Sequence, residues 1–220
     1  MPEFPYADLK PYLDGLVPER HPELQKMEAY AAENDFPIVG PASGQFCYMV
    51  AKMLGATAVF ELGSGFGYST AWFARAVNEN GGGVVHHVVW DEELSAMARK
   101  HLAAMGFPAT DSGQNAQTMI NYTVGEAVAA FKGYDTQFDL VFNDIDKVGY
   151  PDTVEVVEQR LRTGGGFITD NAIWGGRVLT GDDDPETAAI LKFTQMLTQS
   201  PKWDTTLLPI RDGLLLAIKR

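Results

Sequence analysis

The chain has 220 residues, 45% apolar and 21% charged, with 17 Lys and Arg against 29 Asp and Glu for a net charge of −12. That length buries about 70% of the unfolded surface without disulfides or a structural metal, and that charge repels polyphosphate, which sets nucleic acid and anionic membranes aside as partners. A single cysteine, Cys47, makes neither an internal disulfide nor a thiolate metal site, and the start Met1-Pro-Glu-Phe-Pro-Tyr6 lacks the basic and apolar parts of a leader, so the expectation is one cytoplasmic domain over 1–220.

Residues 1–55 read as a helical segment broken at Pro18, Pro22, Pro37 and Pro41. His21-Pro22-Glu23 opens one helix with proline in its first turn. A second helix is expected from Ala42 to Leu54, where Phe46, Met49, Val50 and Met53 share a face. From residue 56 the texture becomes alternating strand and helix. Strands are predicted at Thr57–Leu62, Val84–Trp90, Met119–Val124, Phe138–Asp144 and Gly166–Asp170. Helices are predicted at Ser69–Asn78, Asp91–Met105, Glu126–Phe131 and Tyr150–Leu161, with a polar loop at Gly106–Thr118. Short apolar strands separated by helices imply an α/β fold, a mostly parallel sheet covered on both faces. Asp204–Pro209 and Leu214–Lys219, joined across Asp212-Gly213, add a C-terminal antiparallel hairpin.

The clearest local motif is Glu61-Leu-Gly63-Ser-Gly65-Phe-Gly67-Tyr-Ser69. Glycines between a strand and a helix let backbone approach a nucleotide closely. A dinucleotide fingerprint requires glycine where Tyr68 stands. The acidic-x-Gly-x-Gly-x-Gly pattern instead suits S-adenosylmethionine, whose ammonium and sulfonium favour an acidic site. Asp91, at the end of the second strand, either grips the ribose hydroxyls or caps the following helix. Glu126 and Ala127, after the third strand, fall where adenine is expected, and Glu126 is equally suited to a first helical turn.

Asp144 ends the fourth strand, and Asp170 with Asn171 ends the fifth. In a parallel sheet those ends face the ligand crevice. Two carboxylates and an amide form an all-oxygen set for Mg²⁺, Mn²⁺ or Ca²⁺, against the alternative that all three are turn formers. Lys147, three residues past Asp144, reaches the same corner. It is suited to taking a proton from a substrate hydroxyl or holding the oxyanion, the alternative being a solvated lysine paired with Asp146. His86 and His87 lie mid-strand, His101 in a helix and His21 before Pro22, all without metal-ligand spacing.

With Gly44-Gln-Phe46, Tyr150-Pro151, Leu161-Arg-Thr-Gly-Gly-Gly166, Asp170-Asn-Ala-Ile-Trp174-Gly-Gly-Arg-Val178 and Leu208-Pro209 with Asp212-Gly213, these motifs resemble the class I, S-adenosylmethionine-dependent, divalent-cation-dependent O-methyltransferases. That group includes the catechol and caffeoyl-CoA enzymes and their small bacterial relatives. The resemblance runs from about Phe36 to Arg220. It implies a Rossmann-like, seven-stranded sheet with one antiparallel strand, usually in a homodimer, with the N-terminal helices near the substrate. It further implies Asp144, Asp170 and Asn171 as ligands of a divalent cation, Mg²⁺ in the first place, and Lys147 as the catalytic lysine beside Asp144. Glu61, Gly63 and Ser69 would line the methionine end of the cofactor, and Glu126 and Ala127 the adenine. One departure stands out: Val89 occupies the position of the ribose-binding acid, which leaves Asp91 as a substitute two residues on. The variable loop falls at 179–184, and its aspartates, Asp182 to Asp184, read as a turn capping a helix that starts at Pro185.

The expected reaction is methyl transfer to one hydroxyl of a small acceptor with vicinal hydroxyls. Two alternatives remain open on sequence: a cofactor-binding protein without turnover, and a nucleotide-dependent oxidoreductase, which the glycine spacing opposes.

Overall fold

The structure, a computed structural model, describes residues 6–181 and 183–220. The N-terminal reading of Met1 to Pro5, and Asp182 of the acidic turn, lie outside the described residues. Three helices come first: α1 (Tyr6–Leu16), α2 (Pro22–Glu33) and α3 (Gly40–Met53). Pro11 lies inside α1, and Pro41 sits in the first turn of α3 rather than breaking the chain before it. Proline is tolerated in a first turn because its missing N–H has no helical partner there. His21 caps α2, its Nδ1 accepting from the Glu23 N–H at 3.1 Å.

The alternating part follows as β1 (Ala58–Leu62), α4 (Tyr68–Glu79), β2 (Gly83–Val89), α5 (Glu92–Ala104), β3 (Thr118–Val124), α6 (Ala127–Lys132), β4 (Phe138–Asn143), α7 (Tyr150–Arg160), β5 (Leu161–Thr169), α8 (Pro185–Thr198), β6 (Trp203–Leu208) and β7 (Leu214–Lys219). All seven strands join one sheet in the order β3-β2-β1-β4-β5-β7-β6. The first five run parallel; β7 runs antiparallel to both β5 and β6. This is the expected Rossmann-like α/β sheet with its hairpin. One element begins earlier than expected: β5 starts at Leu161, directly after α7, and carries Gly164-Gly-Gly166 inside it.

Alternation along each strand divides the core. Val59 and Leu140 join one apolar layer with Val50, Trp72 and Phe73, while Phe60 and Val141 join the other with Phe131, Phe167 and Phe193. Side chains two apart share a face, so both sides of a parallel strand must be apolar when helices cover both faces.

The register then builds the rim. Leu62 pairs with Asn143, and Asn143 with Thr169. The next residues along those three strands are therefore Gly63, Asp144 and Asp170, side by side at the carboxyl edge. Backbone hydrogen bonds continue the ladder one step further, from Asp144 N–H to the Leu62 carbonyl at 2.8 Å and from Asp170 N–H to the Asn143 carbonyl at 3.1 Å. Because β7 runs the other way, pairing Leu215 with Thr169, the turn before it (Ile210 to Gly213) also lies at this edge.

Candidate active site

The glycine turn after β1 needs its glycines. Gly63 has φ +83, and a Cβ there would lie 2.6 Å from the Asp144 carbonyl oxygen; Gly67 has φ +92 and would meet the Ala98 methyl at 2.9 Å. The left-handed backbone and the lack of room independently exclude larger side chains. Ser64 ties the turn to β2, its N–H donating to the Val88 carbonyl at 2.9 Å and its Oγ accepting from Val88 N–H at 3.0 Å.

A cavity of about 670 Å³ opens over this rim. Gly63, Ser69, Glu126, Ala127, Asp144, Lys147, Asp170 and Asn171 all line it. Its remaining walls include the segment from Phe36 to Val39, then Val89 with Trp90, and Trp174. Two expected residues stand apart. Glu61 is fully buried behind the turn, where Thr70 Oγ1 donates to its Oε2 and His87 Nδ1 lies 3.0 Å from the same hydroxyl. Burial pushes the Glu61 carboxyl up to about 8, against the hydrogen bonds of Ser69, Thr70 and Ser64. Asp91 lies outside the cavity wall and caps α5, its Oδ1 accepting from Leu94 N–H at 2.8 Å. Glu126 lines the wall yet spends both oxygens on α6, accepting from Val128 N–H at 2.8 Å and Ala129 N–H at 2.6 Å.

The oxygen cluster is paired internally. Lys147, 9% exposed, donates from Nζ to Asp144 Oδ1 at 2.8 Å and to the Ile145 carbonyl at 3.2 Å, above the Tyr150 ring at 5.1 Å. It is therefore buried on Asp144, not solvated on Asp146. Asp170 is 1% exposed, and its Oδ1 has no hydrogen-bond partner. Desolvation, then the Asp144 charge, raises the Asp170 carboxyl to about 7 while Arg211 opposes the rise. Asp144 is shifted up by desolvation as well, with Lys147 pulling it back. Two neighbouring carboxylates, Asp170 buried with an unpartnered oxygen and Asp144 partly open to the cavity, are chemically suited to a hard cation. Asn171, at φ +56, donates from Nδ2 to Asp212 Oδ2 at 3.0 Å, which leaves its amide oxygen for another partner. Among the described residues there is no group of three or more His, Cys, Asp or Glu arranged for a metal.

The hairpin turn stands where the sequence predicts it, but its side chains reach the site, which the sequence did not indicate. Arg211 lines the cavity, with Nη1 donating to Asp170 Oδ2 at 3.0 Å. Asp212 holds Asn171 and also accepts from Gly175 N–H at 2.6 Å. The only local signal was an arginine beside the Asp212-Gly213 turn. The four histidines take structural places: His86 stacks on Phe60, His87 is buried on Thr70, His101 meets Glu23, and His21 is a cap. Asp184 caps α8, accepting from Glu186 N–H at 3.1 Å. No helix among the described residues is long and apolar enough to cross a membrane.

Known proteins resemble this chain in sequence and in fold. A family model described as O-methyltransferase matches residues 17–220, starting earlier than the motifs at Phe36. A Mycolicibacterium smegmatis protein bearing an O-methyltransferase name is 29% identical over 182 residues, 82% of each chain. Cofactor-bound Rv0187 of Mycobacterium tuberculosis superposes with a TM-score of 0.82 at 27% identity, covering 100% of this chain and 99% of its own. The O-methyltransferase TomG of Streptomyces achromogenes, solved with S-adenosylmethionine, shares the fold at a TM-score of 0.81 and 24% identity, over 96% of each chain.

Proposed function

Because the chain belongs to the O-methyltransferase family, we propose that it moves the methyl group of S-adenosylmethionine to one hydroxyl oxygen of a small acceptor carrying vicinal hydroxyls. The observation that carries this reading is that one cavity is lined by both groups of residues. Its one end is the glycine turn with Glu126 and Ala127, and its other end is Asp144, Lys147, Asp170 and Asn171. Donor and acceptor bound there would lie within one enclosure, and positioning of that kind supplies much of a transfer rate.

The cofactor supplies an electrophilic methyl carbon on a sulfonium. The narrow turn at Gly63 and Gly67, with Ser69 at the first turn of α4, offers backbone and a hydroxyl to its methionine end. Ala127 and the α6 entrance meet the adenine. At the ribose, Val89 and the exposed Trp90 form the wall, with Asp91 outside it and its Oδ1 on the α5 cap. A divalent cation, Mg²⁺ first, with Mn²⁺ and Ca²⁺ as alternatives, held by Asp144, Asp170 and Asn171, supplies positive charge that lowers the acceptor hydroxyl's pKa. Lys147 as the neutral amine, its position fixed by Asp144 and the Ile145 carbonyl, takes the hydroxyl proton on Nζ and becomes the ammonium paired with Asp144. The acceptor oxygen then bonds to the methyl carbon as the sulfur–carbon bond breaks, with both electrons leaving on sulfur. Tyr150 supports the corner from below, its hydroxyl donating to the Asp170 carbonyl at 3.0 Å.

A cytoplasmic homodimer completes the proposal, and light scattering on the purified chain reads the assembly. The chemistry is tested by a methyl-transfer screen over a catechol panel with and without EDTA. Transfer that stops in chelator and returns with Mg²⁺ or Mn²⁺ is expected. Full transfer in chelator removes the cation from the reading, and no transfer to any vicinal diol removes the acceptor class.

A further inference from the structure

Each carboxylate in the corner already faces a cation of this chain: Asp144 has Lys147 and Asp170 has Arg211. We propose that the Arg211 guanidinium and a divalent cation are alternative occupants of Asp170, so that Arg211 sets how tightly the site takes metal. This rests on the reading that Asp144, Asp170 and Asn171 hold a cation, and deepens it.

Three observations carry it. First, Asp170 is 1% exposed and divides its oxygens unequally: Oδ2 accepts from Arg211 Nη1 at 3.0 Å, and Oδ1 has no partner. A divalent ion drawn to Oδ1 would share one small carboxylate with a guanidinium, and like charges that close repel strongly where water is scarce. Second, Arg211 stands at φ +52. L residues other than glycine, asparagine and aspartate rarely accept that backbone, and a turn between antiparallel strands takes glycine there without cost. A strained residue persists where the surroundings hold it and its side chain has a use; here that side chain reaches the buried Asp170.

Third, the turn is pinned by hydrogen bonds that do not involve the Arg211 side chain. Ile173 N–H donates to the Asp212 carbonyl at 2.8 Å and Ala172 N–H to the Gly213 carbonyl at 3.0 Å. Asp212 holds Asn171 and Gly175 with its carboxylate. The Arg211 side chain is 25% exposed, so its guanidinium lies at a boundary with solvent and can leave Asp170 without unmaking the hairpin. Lys147 differs, being held by two acceptors and nearly enclosed.

The test is calorimetric titration of Mn²⁺ alone into the wild type, Arg211→Gly, Arg211→Lys and Asp170→Asn, with S-adenosylhomocysteine titrated in parallel. Arg211→Gly relieves the backbone strain, so it is expected to fold. Its Mn²⁺ affinity should rise at least tenfold over wild type, Arg211→Lys should fall between them, and Asp170→Asn should lose Mn²⁺. S-adenosylhomocysteine affinity should stay within about twofold throughout. Equal or weaker Mn²⁺ binding by Arg211→Gly overturns the inference and leaves the cation site standing. Absence of Mn²⁺ binding in every protein, with S-adenosylhomocysteine still bound, overturns both the inference and the cation part of the proposed function.

Discussion

The two ends of the cavity are built from opposite materials. At the glycine turn the wall is backbone and apolar surface, and the nearby acids are engaged elsewhere: Glu61 with Thr70, Asp91 and Glu126 with helix N-termini. At the oxygen cluster the wall is charge, with Asp144, Lys147, Asp170 and Arg211 paired across neighbouring elements. The first is held by fixed dihedrals, the second by fixed partners. Substitutions should therefore damage the two ends in separable ways.

The largest separation is expected from Asp144→Ala and Asp170→Ala. Removing either should lower methyl transfer at least about a hundredfold, since positive charge at a developing anion is worth several kcal/mol. S-adenosylhomocysteine affinity should remain near wild type by calorimetry. Equal losses in both quantities would mean that the ends are not independent. Gly63→Ala should act on the fold and on cofactor affinity together, and through the Asp144 backbone on transfer as well. The methyl clashes with the Asp144 carbonyl in a left-handed turn, and a loss of about 1–3 kcal/mol in thermal or denaturant stability should accompany a loss of cofactor affinity.

A third, smaller effect concerns pH. Glu61 is raised from an ordinary 4.5 to about 8, so between those values the folded chain holds a proton that the unfolded chain has lost. Stability from this group is full below 4.5 and falls as pH rises through 8. His86 and His87, lowered to about 4 and 3 by burial, work with the opposite sign, but only up to their unfolded value of 6.5. The window from pH 6.5 to 8 therefore excludes the histidines and leaves the raised carboxyls, Asp170 up to about 7 and Glu61 up to about 8. Melting temperature should fall across it, and Glu61→Gln should lessen the fall; an unchanged slope in the variant assigns the effect elsewhere. The smallest effect is expected at Asp91. Asn caps a helix about as well as Asp, so Asp91→Asn should leave cofactor affinity almost unchanged. A loss of about 1–3 kcal/mol would instead show Asp91 on the ribose.

Much of this was legible because it is local. A strand that ends in spaced glycines, or in Asp144 or Asp170, announces its carboxyl edge within ten residues, and apolar runs between helices dictate a doubly covered sheet. The caps at Asp91 and Glu126 were visible as one of two roles, since a helix N-terminus and a ligand ask for the same carboxylate. The start of β5 was hidden because Gly164 to Gly166 carries no strand preference; pairing with β4 and β7 imposes it. Arg211 was hidden for a different reason. It meets Asp170 across 41 residues through an antiparallel strand, and its left-handed backbone contradicts what its residue type predicts.

In the proposed reaction Lys147, held on Asp144 at the charged end, deprotonates an acceptor hydroxyl beside the donor. Lys147→Arg tests it most directly, because arginine keeps the charge and cannot lose its proton in the working range. Turnover of labelled S-adenosylmethionine with a catechol acceptor should drop by orders of magnitude in the variant, with S-adenosylhomocysteine and acceptor affinities largely retained. Near-normal turnover by the arginine variant would contradict the claim and leave Lys147 as an electrostatic support.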